Sequence, residues 1–166
     1  GVLSLVYLAR RDPRLDRVAA ASAEVGLVFG LAMLTTGALW GKTIWGAWWV
    51  WDARLTSTLF LCLLFVGYLV IRGAVMDPDM RARFSAVLGI LALVLVPFIY
   101  FSVHMFRTLH PQPPVLRAGT PTLPASMLVT LLLSVLVFSF LYMGFLMLRY
   151  SLSTLRQIRE EEAAGG

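Results

Sequence analysis

Apolar residues in this chain come in blocks of about twenty, separated by short polar stretches, which is the pattern of a polytopic helical membrane protein. The pattern predicts four complete spans, Ala19 to Leu39, Leu55 to Ile71, Phe84 to Val103 and Ala125 to Leu148. Each is roughly 17 to 24 residues, enough at 1.5 Å per residue to cross a hydrocarbon core of about 30 Å. Ahead of them, Gly1 to Ala9 is apolar but too short to span, and reads as the end of a truncated helix. A signal peptide fits poorly, because its basic residues should precede the apolar run, whereas Arg10, Arg11, Arg14 and Arg17 follow it. The expected fold class is therefore an all-α integral membrane protein, a transmembrane helical bundle forming one domain over residues 1–166.

The polar segments alternate in charge. Segments 10–17, 72–83 and the tail 149–166 hold 4, 3 and 3 basic residues, while 40–54 and 104–124 hold 2 each. So 10 of the 14 basic residues fall on one side, and the positive-inside rule makes that side cytoplasmic. Loops 40–54 and 104–124 then both face outward, where they can build one site. Composition agrees with a membrane setting: 59% of the 166 residues are hydrophobic, 14% are charged, and the mean hydropathy is +0.81, far from the profile of a soluble enzyme. The net charge of +5 sits in the gaps between spans, so it reports orientation rather than nucleic-acid binding. A single cysteine, Cys62, lies inside a span, which excludes an intrachain disulfide framework or a thiolate metal site.

Little within the spans carries chemistry. Glu24 is the only acid inside a predicted span, and an intramembrane carboxylate is a functional candidate, but snorkelling to the nearby cytoplasmic end or pairing with an arginine explains it more simply. Pro97 should kink the third complete span. Gly26, Gly30 and Gly37 should allow close helix approach. No glycine-rich phosphate loop is present.

The outer loops differ. All five tryptophans fall in the twelve residues from Trp40 to Trp51. An interfacial belt would place tryptophans at both membrane faces, so the concentration argues for a dedicated surface. If Trp45 to Asp52 is helical, Trp45, Trp48, Trp49 and Asp52 share one arc of about 100° and Trp51 points elsewhere. Such a platform suits a large planar ligand, since aromatic stacking adds about 0.5–1.5 kcal/mol per pair beyond area burial. Asp52 can instead cap the helix that begins near Arg54, and Arg54 can snorkel outward. As ligand contacts, Arg54 and Lys42 offer cations beside the indoles for a carboxylate.

Both histidines, His104 and His110, lie in the other outer loop. One loop with a stacking surface and one with an imidazole together provide what a haem needs, a face to lie on and an axial ligand for iron. Met105 and Phe106 would add apolar walls, and Arg107 a cation for a propionate. Pro111, Pro113 and Pro114 stiffen the chain just after His110, which would hold a ligand in place, while His104 stands at the end of a span.

The string from Trp45 to Thr56, WGAWWVWDARLT, resembles the tryptophan-rich WWD signature of the haem-handling proteins of cytochrome c biogenesis, and is most similar to the CcmC family of haem exporters. Tyr100-Phe-Ser-Val followed by Thr108-Leu-His110 is similar to that family's second outer loop, which contains one of two haem-ligating histidines. The resemblance covers essentially the whole chain. It implies that Gly1 to Ala9 ends the second of six helices, with the first ligand histidine upstream, and that His110 is the ligand supplied here. It implies haem b as the group handled, held at the outer face of the bacterial inner membrane. The partners it implies are a periplasmic haem chaperone, CcmE, an ABC-type transporter of CcmA with CcmB, a small membrane subunit, CcmD, and the lipid bilayer. On this reading the chain is a transport component, not an enzyme. The alternatives are a lyase component of the CcmF or CcsA type and a quinone- or haem-dependent membrane oxidoreductase subunit; both are expected to carry histidines inside their spans, and this chain carries none there.

Overall fold

A computed structural model describes residues 1–115 and 123–165, and it is built of helices: α1 (Val2–Arg10), α2 (Pro13–Trp45), α3 (Ala53–Ala74), α4 (Pro78–Met105) and α5 (Ala125–Gly165). Four of these are long and apolar enough to cross a membrane, as the hydropathy blocks predict. The protein is an all-α polytopic membrane protein. The expected outer-loop residues 116–122, Arg117 among them, lie outside the described residues.

The helices overrun the apolar blocks. α2 begins six residues before Ala19 and ends six after Leu39, so its 33 residues reach about 50 Å. Hydrocarbon thickness fixes where the apolar residues stop, but capping decides where the helix stops. Asp12, Asp52 and Asp77 each stand one residue before a helix, and each carboxylate accepts a first-turn N–H, from Arg14 at 2.8 Å, Leu55 at 2.8 Å and Met80 at 2.6 Å. Such caps contribute about 0.5–2 kcal/mol each. Pro13 and Pro78 follow two of these caps at the first helical position, where a missing N–H costs nothing. Pro97 stands inside α4, which continues to Met105.

Residues Gly1–His110 form one compact unit. Its buried positions are mostly small: Ala19, Ala21 and Ala23 on α2, Ser57, Thr58 and Cys62 on α3, Ala82, Ala86 and Ala92 on α4. Large side chains such as Val28, Phe60, Val70 and Val94 face outward. This is the packing lipid selects, since tails solvate leucine as well as a protein does and close backbone approach supplies the attraction. Gly30 shows it directly: a Cβ there would stand 2.9 Å from the Cys62 Sγ. Among the described residues Gly26 has only ordinary contact with Phe65 and Gly37 meets nothing within 4 Å, so the expected close approach is seen at Gly30 and not at the other two. The short apolar segment at the start of the chain is a helix, α1, seated through Tyr7 against Ala82 and Ala86 of α4. Buried serine and threonine hydroxyls on α3 donate back to carbonyls one turn earlier, Ser57 to Ala53 at 2.6 Å and Thr58 to Arg54 at 2.8 Å, which satisfies their protons within the helix; the fully buried Ser85 hydroxyl of α4 has no such partner among the described residues.

α2, α3 and α4 run alternately up and down. One end gathers the start of α2 and the end of α3, where Arg72 donates to both oxygens of Asp16 at 2.7 and 2.9 Å. The other end gathers the end of α2, the start of α3 and the end of α4, and there the two loops singled out by the sequence meet. The second unit, Pro111–Gly166, contributes α5. Its apolar stretch ends near Leu148, but the helix carries on through Arg149, Arg156 and Arg159, polar residues of high helix propensity that need no membrane to extend a helix already begun.

Candidate functional site

The tryptophan-rich segment is not one helix. α2 ends at Trp45, and Gly46 follows with φ 74°, a left-handed conformation that glycine enters without a Cβ penalty and that halts the helix. Residues 46–52 are non-helical, until Asp52 caps α3. The helical arc expected for Trp45 to Asp52 is therefore corrected. Gly46 supplies a stop and Asp52 a start, and the indoles are presented on either side of a turn.

Even so, Trp45, Trp48 and Trp49 converge. With Gly37, Gly41 and His110 they line one apolar hollow of about 120 Å³. Trp48 is 57% exposed, with the Lys42 ammonium 5.9 Å from its ring centre. Trp51, 75% exposed and outside the hollow, sits edge-on against Trp49 at 5.6 Å. Trp40 meets Trp45 edge-to-face at 5.1 Å, and Trp45 in turn meets the His110 imidazole at 4.8 Å and 76°. Among the described residues the buried Trp49 indole nitrogen has no hydrogen-bond partner, which leaves a donor beside the apolar indole surface.

Asp52 does not line the hollow. It is 7% exposed, and its two oxygens face different tasks. Oδ1 accepts the Leu55 N–H that starts α3. Oδ2 accepts the Thr108 hydroxyl and contacts His110 Nδ1 at 2.8 Å. Burial by itself would raise the Asp52 pKa, but hydrogen bonds from Thr108, Leu55 and His110, with the histidine's charge, outweigh it and hold the carboxyl below its ordinary value. Thr108 also accepts the His110 backbone N–H at 3.1 Å, a local turn that sets where the ring emerges.

The remaining candidates are dispersed. Lys42 donates to the Gly46 carbonyl at 3.0 Å, closing the end of α2. Arg54 is half-buried in the first turn of α3, and Arg107 is exposed beside Thr108. His104 is exposed, its ring 6.1 Å from Tyr100 and 6.4 Å from Phe101. Thr108 carries no role in the sequence reading, and neither does the contact of Asp52 with His110. Those two partners lie 56 and 58 residues from Asp52, a separation no periodicity can read, although the Thr-x-His spacing does signal the local turn.

A family profile described as "CcmC: Heme exporter protein C" matches residues 1–164. The "Heme exporter protein C" of Bradyrhizobium diazoefficiens is 41% identical over 141 residues, which is 85% of this chain and 54% of that protein. The protein of the same description from Haemophilus influenzae is 39% identical over 82% of this chain and 56% of its own length. A "Putative cytochrome c biosynthesis ccmC-like mitochondrial protein" of Marchantia polymorpha is 34% identical over 84% of this chain and 58% of its own. The chain thus spans a little over half the length of these relatives. With matches this extensive, the chain belongs to the haem exporter protein C family, CcmC.

Proposed function

We propose that this chain binds haem, as haem b, at the end of the bundle where the tryptophan hollow and His110 meet, and delivers it during cytochrome c maturation. The observation that carries the reading is the meeting itself: an imidazole from after α4 is brought into a hollow lined by Trp45, Trp48 and Trp49. Nδ1 is engaged by Asp52, so Nε2 is the nitrogen left to meet a metal. The residues fit an iron porphyrin by donor type, a neutral nitrogen ligand beside apolar aromatic surface.

The hollow offers apolar indole surface from Trp45, Trp48 and Trp49 beside His110, against which the face of a porphyrin could lie, and the exposed Trp48 would leave that surface open to a recipient. The recipient is a periplasmic haem chaperone of the CcmE kind, with CcmA, CcmB and CcmD as the other partners. Arg54, Lys42 and Arg107 are the cations for propionates; Lys42 reaches one by leaving the Gly46 carbonyl. The chain acts as a transport component and not as an enzyme, and the family match favours this over the lyase and oxidoreductase readings.

An absorption spectrum of the intact protein, purified from membranes with and without the chaperone, tests the proposal. A Soret band on the protein that falls as one appears on the chaperone is expected. A protein that never carries haem when haem is abundant overturns the reading. The orientation, with the tryptophan end periplasmic, rests on the 10 to 4 division of basic residues. In a Cys62→Ser background, a cysteine replacing Trp51 should react with an impermeant thiol reagent from outside. One replacing Met76, 95% exposed at the opposite end of the unit, should react only after the membrane is opened.

A further inference from the structure

We propose that Asp52 is the positioning residue for His110: its carboxylate fixes the tautomer and direction of the imidazole, so that Nε2 is presented bare to the iron of bound haem. The inference rests on the proposed haem reading and adds to it a role for the acid of the tryptophan segment, which does not line the hollow.

The hydrogen-bond inventory determines which nitrogen carries the proton. An ionised carboxylate only accepts. The Thr108 hydroxyl has one proton, and it goes to Asp52 Oδ2. The other contacts of that hydroxyl, with the His110 N–H at 3.1 Å and His110 Nδ1 at 3.2 Å, must then be ones in which the oxygen accepts. Nδ1 therefore faces two oxygens, Asp52 Oδ2 at 2.8 Å and Thr108 Oγ1, and both require it to be N–H. In the neutral ring the lone pair then resides on Nε2. A carboxylate behind an imidazole also makes it a more basic metal ligand, and partners of this kind commonly change metal affinity by about 10–100-fold. Trp45, edge-on to the ring at 4.8 Å, limits its rotation from the other side.

The anchor is rigid because the same carboxylate caps α3 through Oδ1. That double duty makes Asp52→Asn diagnostic. An amide has one acceptor oxygen, so it can keep the cap and turn its NH2 toward Nδ1, which forces the proton onto Nε2, or it can accept from Nδ1 and lose the cap. Neither state reproduces the native arrangement. Thr108→Val provides a second variant that leaves the cap untouched while removing the hydroxyl from both Asp52 and His110.

The experiment compares haem occupancy, absorption spectrum, reduction potential and thermal unfolding of the intact protein with those of Asp52→Asn, Thr108→Val, His110→Ala and the Asp52→Asn, His110→Ala pair. Asp52→Asn is expected to bind haem about 10–100-fold more weakly, with a raised reduction potential as the ligand loses basicity. Thr108→Val should shift both in the same direction by less. In the paired variant Asp52→Asn should add nothing to the loss from His110→Ala, because it acts through that ring. If His110→Ala removes the haem spectrum while Asp52→Asn keeps native affinity and potential, the positioning role is overturned and the haem reading stands. An additive loss in the paired variant also overturns it, since Asp52 would then act apart from His110. If His110→Ala leaves the spectrum native, the haem reading of this ring fails, and the positioning role fails with it.

Discussion

Each end of the first unit is tied by an aspartate to a partner more than fifty residues away, and the two ties differ in what they leave over. At one end Asp16 takes two N–H groups of Arg72, whose guanidinium also lies 5.8 Å from the Tyr68 ring. A guanidinium is permanently protonated and has no lone pair to offer. That tie joins α2 to α3 and carries no further chemistry. At the other end Asp52 takes the Thr108 hydroxyl and faces one nitrogen of an imidazole. The imidazole keeps a second nitrogen, and it stands in a hollow lined by indoles. Both ties hold helices, but of the two only the second holds a group with unused coordinating capacity, and that is the physical ground for the proposed haem site.

The largest expected effect tests that unused nitrogen. Replacing His110 with alanine in the intact protein should abolish or strongly shift the haem spectrum, and added imidazole should restore part of it by filling the vacated position. His104→Ala, which alters an exposed ring beside Tyr100, should leave the spectrum close to native; the reverse outcome would exchange the two assignments. Next come the indoles. Trp48→Ala and Trp49→Ala should each weaken haem binding several-fold to tenfold or more, given about 0.5–1.5 kcal/mol per aromatic contact plus lost area. Trp51→Ala should cost less, because Trp51 touches Trp49 and not the hollow. An equal loss from all three would erase the distinction between hollow and rim. At the opposite end, Asp16→Ala should lower unfolding stability by about 1–3 kcal/mol, since it strands a part-buried guanidinium. It should leave the haem affinity of the folded protein unchanged, and a fall in that affinity would show that the two ends are coupled.

The fold was legible for a plain reason. In a bilayer the protein must satisfy every backbone polar group itself, and an uninterrupted apolar block of about twenty residues does so as a helix. The spans followed from counting, but their true ends did not, because caps at Asp12, Asp52 and Asp77 extend or restart helices irrespective of hydropathy. The candidate residues were legible as a set: Trp45, Trp48, Trp49 and His110 do line one hollow. They do so without the helical arc expected over Trp45 to Asp52, because Gly46 stops α2.

By itself, then, the sequence determined the membrane class, the positions of the spans and the identity of the residues rich in chemistry, because composition and hydropathy act locally and add along the chain. The tertiary structure alone decided what those residues do to one another. Asp52 could be read as cap or platform, and it is a cap whose second oxygen holds Thr108 and faces His110. That contact spans 58 residues. It exists because α3 and α4 return the chain to the same end of the unit, and a hydrogen bond between loops depends on distance in space, which no local pattern encodes.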